Sequence, residues 1–511
     1  MADCFIIVTV NPYIELTLNN MILENFLDSF HAHISNNAFC IDEVFYTYGQ
    51  FLERINGIRE NVKTIIPSDC QNVGIVVCDS IDTYASIFAL WFEGKTYVPI
   101  LPSAPEERNN QVIDEAGLSY ILNVGKLNQN LKAEIISTKL IESSSEERPL
   151  LNLDENKNAY ILFTSGSTGK PKGVQITFGN LHNFITAMYA CGSGLSENDK
   201  SLQMFELTFD FSVAAYTMPL FAGACIYTIP TGEVRYLYIL DLMDFHNLTV
   251  LWLVPSIIVL LRSRFNSIFS DSIRMCAFCG EALPIDVVNE WRCCIPNSVI
   301  RNFYGPTEDT VFCTYYDVDD FHQKHHNGTV SIGRSMESGD FIVVDSELKP
   351  LGPNESGELC LSGNQLTPGY WMNPTKNESS FFFYNGKRYY RTGDLCFVDN
   401  DGDLQYIGRI DFQTKINGFR VELSEIEHYA AESLNGNNIC VCVAYQNAIG
   451  TTELGLMIQG GQTINTEAVV DYIREHLPPY EVPSCVKIIS NLPLNSNGKI
   501  DRKEIIKQFQ K

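Results

Sequence analysis

Phe163-Thr164-Ser165-Gly166-Ser167-Thr168-Gly169-Lys170-Pro171-Lys172-Gly173-Val174 decides how the rest of the chain is read. The apolar run Tyr160 to Phe163 leads into it and reads as a buried strand. Four hydroxyl side chains, three glycines and two lysines then stand between Thr164 and Gly173. Glycines let backbone N–H groups close on an anion, hydroxyls add donors, and lysines balance phosphate charge. Such a loop suits a polyphosphate, most simply that of ATP. It is not a Walker A loop, because Thr164 replaces the first glycine and Pro171 follows Lys170 where Ser or Thr is required. The dinucleotide pattern G-x-G-x-x-G does not match either.

Working outward, 511 residues exceed one ordinary domain, and 45% apolar residues allow large cores. A net charge of −25 argues against nucleic acid and against an anionic membrane surface as partners. The run Phe5 to Val10 is too short for a signal peptide, and Val250 to Leu261 is broken by Pro255. A cytoplasmic location with 16 reduced cysteines is therefore expected. Cys276 and Cys279 form a C-x-x-C inside an apolar run. The next pair, Cys293 and Cys294, is adjacent rather than spaced, which argues against a tetrahedral zinc site there. His322, His325 and His326 read as loop residues.

Before the loop, Val73 to Cys78, Ile81 to Phe92 and Tyr97 to Ile100 read as strand, helix and strand. Such a βαβ unit implies a parallel sheet. Phe45 to Phe51 reads as entering a helix. After the loop, Asn180 is placed to cap a helix ending at Ala190. Phe209-Asp210-Phe211-Ser212 opens an apolar helix to Phe221, and Cys225–Ile229, Val250–Leu253 and Met275–Cys279 read as strands. By residue type alone, an Asp opening a helix is an N-cap.

Further strings follow in order: Phe278-Cys279-Gly280-Glu281, Arg301-Asn302-Phe303-Tyr304-Gly305-Pro306-Thr307-Glu308, Gly357-Glu358-Leu359, Tyr390-Arg391-Thr392-Gly393-Asp394, Gly408-Arg409-Ile410-Asp411 through Gly418-Phe419-Arg420, Leu477-Pro478-Pro479-Tyr480-Glu481, and Pro493 to Lys503. From residue 73 to 503 this series resembles the adenylate-forming superfamily of acyl-CoA synthetases, luciferases and amino-acid adenylation domains. Departures are Leu101 where the family has Asp, Ser335 where it has Pro, and Glu481 where it has Met.

The resemblance implies an α/β fold of the acetyl-CoA synthetase type. A large multi-sheet N-terminal domain (1–408) would join a small mobile α/β C-terminal domain (409–511) by a hinge near Asp411. It implies ATP and Mg²⁺ as cofactors. Thr164, Ser165, Gly166, Ser167, Thr168, Gly169 and Lys172 would hold the phosphates, Asn302 and Tyr304 the adenine, Asp394 the ribose diol, and Arg409 ribose and phosphate. Thr307, Glu308 and Lys499 would be catalytic, with Glu308 holding the metal. Asp210 would pair with a substrate ammonium, and Phe211, Ala214, Trp252, Ala277, Cys279, Phe303, Val311 and Phe312 would form the substrate wall.

Several of these wall residues are bulky, leaving room for a small amino acid: alanine, glycine or serine. The Phe-Cys-Gly-Glu string is similar to that of D-alanine–carrier-protein ligases, making D-alanine the first expectation. Only eight residues follow Lys503, so the thiol acceptor is expected to be a separate phosphopantetheinyl carrier protein. An acyl- or aryl-CoA synthetase is the alternative, which Asp210 disfavours. A non-catalytic nucleotide-binding protein is a further one, which the presence of Glu308 and Lys499 disfavours.

Overall fold

The polyphosphate-type loop joins two antiparallel strands, Asn158–Thr164 and Lys172–Thr177, with Thr164 opposite Lys172. A strand-to-helix turn, the setting of a Walker loop, is not its context. The computed structural model describes residues 22–510 apart from 126, 128, 152–153, 166–170, 320–322, 338, 412, 437, 462–463 and 495–499. Gly166, Ser167, Thr168, Gly169 and Lys499 therefore lie outside the described residues, as does His322.

The loop strands belong to a seven-stranded sheet with Thr96–Ile100 and Asn72–Val76 at its centre. Those two strands are parallel and linked by the helix Ile81–Phe92, as the βαβ pattern requires. A nine-stranded sheet carries Val250–Leu253, Met275–Phe278 and Val299–Tyr304, again mutually parallel. Every residue of Val250–Leu253 and Met275–Phe278 is buried, which explains their unbroken apolar sequence.

Between the sheets lie two helices that are apolar on all sides, Ile81–Phe92 and Phe211–Ala222. Tyr216 meets the hydroxyl of Tyr97 on the seven-stranded sheet at 3.1 Å. Tyr84 lies 4.8 Å from Phe39 on the nine-stranded sheet, and Trp91 donates to the Ala159 carbonyl at 2.8 Å. One continuous core thus spans both sheets.

Three local expectations change. Phe45–Thr47 belongs to an edge strand, Val44–Thr47, and the helix begins only at Tyr48, where Thr47 and Gln50 form a capping box. Thr177 rather than Asn180 caps Phe178–Ala190, while Asn180 closes the reciprocal bond as the third helical residue. His325–His326 pairs with Thr329–Val330 in a short hairpin rather than a loop. The apolar run at Val250 divides where Pro255 begins a helix, a position at which its missing N–H costs nothing.

A smaller sheet holds Gly339–Val344, Gly357–Gly363, Phe381–Tyr384, Lys387–Val398 and Leu404–Arg409. Beyond it the chain builds the hairpin Gln413–Ile416/Phe419–Glu422. A three-stranded sheet with helices Leu423–Ser433, Thr466–His476 and Arg502–Phe509 follows, with apolar clusters of its own. Among the described residues, no helix is long and apolar enough to cross a membrane.

Candidate active site

A cavity of about 300 Å³ opens between the large part of the fold and the 413–422 hairpin. Asp210, Phe211, Cys279, Asn302, Phe303, Tyr304, Thr307, Val311, Phe312, Asp394 and Arg409 line it. Ala214, Trp252 and Ala277 stand behind that lining, fully buried. Trp252 packs against the lining residues Phe211 and Phe312, with ring centroids 6.3 and 6.4 Å away.

Asp210 occupies the N-cap position of Phe211–Ala222, yet its side chain makes no capping bond. The carboxylate is turned into the cavity, 7% exposed, near Thr307 and Lys415. Burial pushes its pKa up to about 6, against the Thr307 hydroxyl and the Lys415 charge, which pull it down. Around it the wall is aromatic. Phe205 and Phe211 stack at 4.1 Å, Phe303 and Phe312 at 4.7 Å, and Phe211 meets Phe312 edge-on at 5.0 Å. Cys279 is a packing residue here, since burial drives its thiol up to about 12 and keeps it protonated.

At the other end, Asp394 accepts from the Tyr304 hydroxyl at 2.5 Å and from Arg409 at 3.0 Å. Arg409 also grips Asp411 through two bonds of 2.8 and 2.6 Å. Asn302 donates to the Ser331 carbonyl at 2.9 Å. An aromatic face, a carboxylate and an amide at one end of a pocket suit a nucleoside.

Glu308 is entirely buried behind Thr307. Arg420 holds both of its oxygens at 2.9 Å, and the Tyr370 hydroxyl donates at 2.6 Å. Burial raises the Glu308 pKa, but Arg420 and the hydrogen bonds outweigh it, bringing it down to about 2. The carboxylate is thus ionised and hard enough for Mg²⁺, but in this arrangement Arg420 occupies it. The stems of the 164–172 loop meet the same hairpin. Ser165 donates to the Arg420 carbonyl at 2.9 Å, and Lys172 pairs with Glu422 at 3.0 Å.

The hairpin itself turns on Asn417 and Gly418, both left-handed at φ 49 and 87°. A Cβ at Gly418 would come within 2.8 Å of Val254, so only glycine fits, and its N–H donates to Glu281 at 3.1 Å. Glu281 also accepts from the Ser256 N–H at 2.8 Å, tying the turn to the cavity floor.

A model of the AMP-binding enzyme family matches residues 29–371. The chain belongs to that family, the adenylate-forming ligases. Zwittermicin A synthase ZmaJ of Bacillus cereus is 32% identical over 474 residues, covering 89% of each chain. Tyrocidine synthase 3 of Brevibacillus parabrevis is 32% identical over 487 residues; the match takes in 92% of this chain but spans 7% of that much longer relative. Among solved structures, the Vibrio cholerae adenylation domain AlmE, in complex with glycyl-adenosine-5′-phosphate, superposes with a TM-score of 0.85 at 26% identity. That match covers 96% of this chain and 98% of AlmE.

Within this family member the sequence reading passed over four residues. Lys415 enters the cavity beside Asp210, Arg420 clamps Glu308, Glu281 anchors Gly418, and Tyr370 supports Glu308. Arg420 and Lys415 lie in the quoted string from Gly408, so the available signal was a charged residue inside a specific motif. Glu281 and Tyr370 carried none beyond membership of theirs.

Proposed function

We propose that this chain activates a small amino acid, D-alanine first and glycine or serine next, as its aminoacyl-adenylate. It then passes the acyl group to the phosphopantetheine thiol of a separate carrier protein. The observation that carries this reading is Asp210: a buried carboxylate at a helix start that caps nothing and faces a cavity walled by stacked phenylalanines. The Thr307 hydroxyl and the Lys415 charge offset the burial of this carboxylate only in part, and an ammonium group would offset the rest. The aromatic stack leaves little depth beyond it, which supports a short side chain. AlmE, with its glycyl-adenylate, is consistent with that size.

In the first step a substrate carboxylate oxygen attacks the α-phosphorus of ATP, and the bond to pyrophosphate breaks. Two negative groups must be held together and the transition state stabilised by fixed charge. Asp394, Tyr304, Asn302 and Arg409 orient the nucleoside, and Thr307 donates at the phosphate. Glu308 would hold Mg²⁺, which supplies neutralising charge at the phosphates. Lys499 would bridge carboxylate and phosphate.

Because Arg420 occupies Glu308 here, this domain orientation fits the second step, in which a thiol attacks the acyl carbon and AMP leaves. Rotation near Asp411 would exchange the hairpin for the 493–503 loop. Ile500 packs against the C-terminal cluster of Val441, Met457 and Ile505.

The test is ATP–pyrophosphate exchange across D- and L-amino acids and short carboxylic acids. Exchange confined to one small amino acid is expected. Exchange only with acids lacking an amino group would overturn the Asp210 argument and favour a CoA ligase. Lys499→Ala should abolish exchange while preformed aminoacyl-adenylate still loads the carrier.

A further inference from the structure

Far from that cavity, three donor side chains of different kinds converge at the edge of the nine-stranded sheet. Cys40 lies on Asn37–Ile41, opposite Tyr227 of the parallel strand Cys225–Thr228. The chain reverses at once through Asp42 and Glu43, with φ 50 and 63°, into the antiparallel edge strand Val44–Thr47. This tight left-handed turn folds Glu43 back beside Cys40. His246 closes the helix Arg235–His246, its ring 5.0 Å from Tyr227.

One donor atom from each of Cys40, Glu43 and His246 lies within 4.8 Å of the other two. Among the described residues this is the single group of histidine, cysteine and acid side chains so arranged. Nε2 of His246 and Oε2 of Glu43 are 3.0 Å apart, and the Tyr238 hydroxyl donates to the other Glu43 oxygen at 3.1 Å. Tetrahedral zinc bonds of roughly 2.0–2.3 Å set ligand atoms about 3.3–3.8 Å apart, so a small contraction completes the geometry.

We propose that Cys40, Glu43 and His246 form a divalent-cation site, with zinc the ion their donor set selects, pinning the sheet edge to the end of helix Arg235–His246. A thiolate, an imidazole and a carboxylate together suit a borderline-soft ion rather than Mg²⁺. Thiolate and carboxylate bring two negative charges against the two of the cation. Lys200 donates to the His246 backbone carbonyl at 2.7 Å rather than to one of the three donor atoms. Glu43 is 59% exposed, giving an ion a path in and water a fourth coordination position. Burial, and after it the Glu43 charge, pushes the Cys40 thiol up to about 11; a bound cation favours the thiolate and releases the proton.

The test uses the full chain, reduced, stripped with a chelator and titrated with Co²⁺ and then Zn²⁺. One cobalt per chain with a thiolate-to-cobalt charge-transfer band, bleached by zinc, is the expected result. Zinc should also raise the melting temperature. His246→Gln and Cys40→Ser should lose the band, whereas Cys293→Ser, at an exposed remote cysteine, should keep it. Should Cys40→Ser fail to fold, His246→Gln carries the comparison, with its circular dichroism as the check. No band in the unaltered chain, or a band that survives His246→Gln, overturns the proposal. None of these readouts depends on adenylation, so they stand or fall apart from it.

Discussion

Asp210 shows what one side chain does to both binding and stability. Its pKa of about 6 lies above the ordinary carboxylate value of 3.8 because burial disfavours the charge. Below pH 6 the substrate-free protein holds it protonated, and on the proposed reading a substrate ammonium then loses its counter-charge. KM for the amino acid should therefore rise as pH falls through 6, while Asp210→Asn should raise KM by at least about 100-fold and flatten that dependence. Exchange kinetics from pH 5 to 8 check this. The linkage sign gives a second outcome. A folded pKa above the unfolded one means that ionisation opposes folding, a penalty that grows from pH 4 to 6 and reaches about 3 kcal/mol. Asp210→Asn should thus melt higher than the parent chain at pH 7.5 and equally near pH 4. Residue type alone favoured a helix cap at this position. Only the resemblance of Phe209-Asp210-Phe211-Ser212 to an adenylation motif pointed inward, and the missing capping bond is something sequence does not carry.

At the level of elements, contiguous strings were legible and distant pairings were not. The loop at 163–174, the βαβ unit at 73–100 and the strand–helix break at Pro255 follow from period and turn chemistry within one segment. The Arg420–Glu308 clamp joins residues 112 apart and depends on how the hairpin sits against the cavity. The edge strand at Val44 was misread because aromatic and β-branched residues beside a helix cap suit either state until the pairing partner is known. The hairpin yields its own prediction. Gly418→Ala meets both a left-handed φ and Val254 at 2.8 Å, so the turn must withdraw from Glu281. Loading of the carrier from preformed adenylate should slow at least tenfold, while pyrophosphate exchange changes far less. Paired single-turnover assays check it, and equal losses in both would remove the hairpin from the second step.

Across the whole molecule, the two parts meet over a buried charge cluster that the acidic composition makes expensive. Arg108, on helix Glu106–Ala116, pairs with Glu425 of the C-terminal part at 2.8 Å, both buried. Glu481, where the family has Met, lies beside them with 0% exposure and no hydrogen bond to either carboxylate oxygen. One guanidinium cannot neutralise two carboxylates, so burial and Glu425 push the Glu481 pKa well above the usual range. The folded value exceeds the unfolded one, so the stabilisation belongs to the protonated form and is lost as pH rises from about 4.5 towards the raised folded pKa. Replacing Glu481 with Met fills the volume without the charge. Glu481→Met should raise the melting temperature, by little at pH 5 and by more at pH 8. Arg108→Ala should act oppositely, costing about 3–5 kcal/mol because the buried 2.8 Å ion pair with Glu425 is then broken from one side. Thermal melts of the three proteins across that pH range test the cluster, and a Glu481→Met difference that stays constant with pH would show that Glu481 does not titrate against its neighbours. If adenylation requires the C-terminal part to leave this orientation, the same Met variant should slow pyrophosphate exchange while sparing carrier loading. Stability and catalysis would then respond in opposite directions to one buried charge.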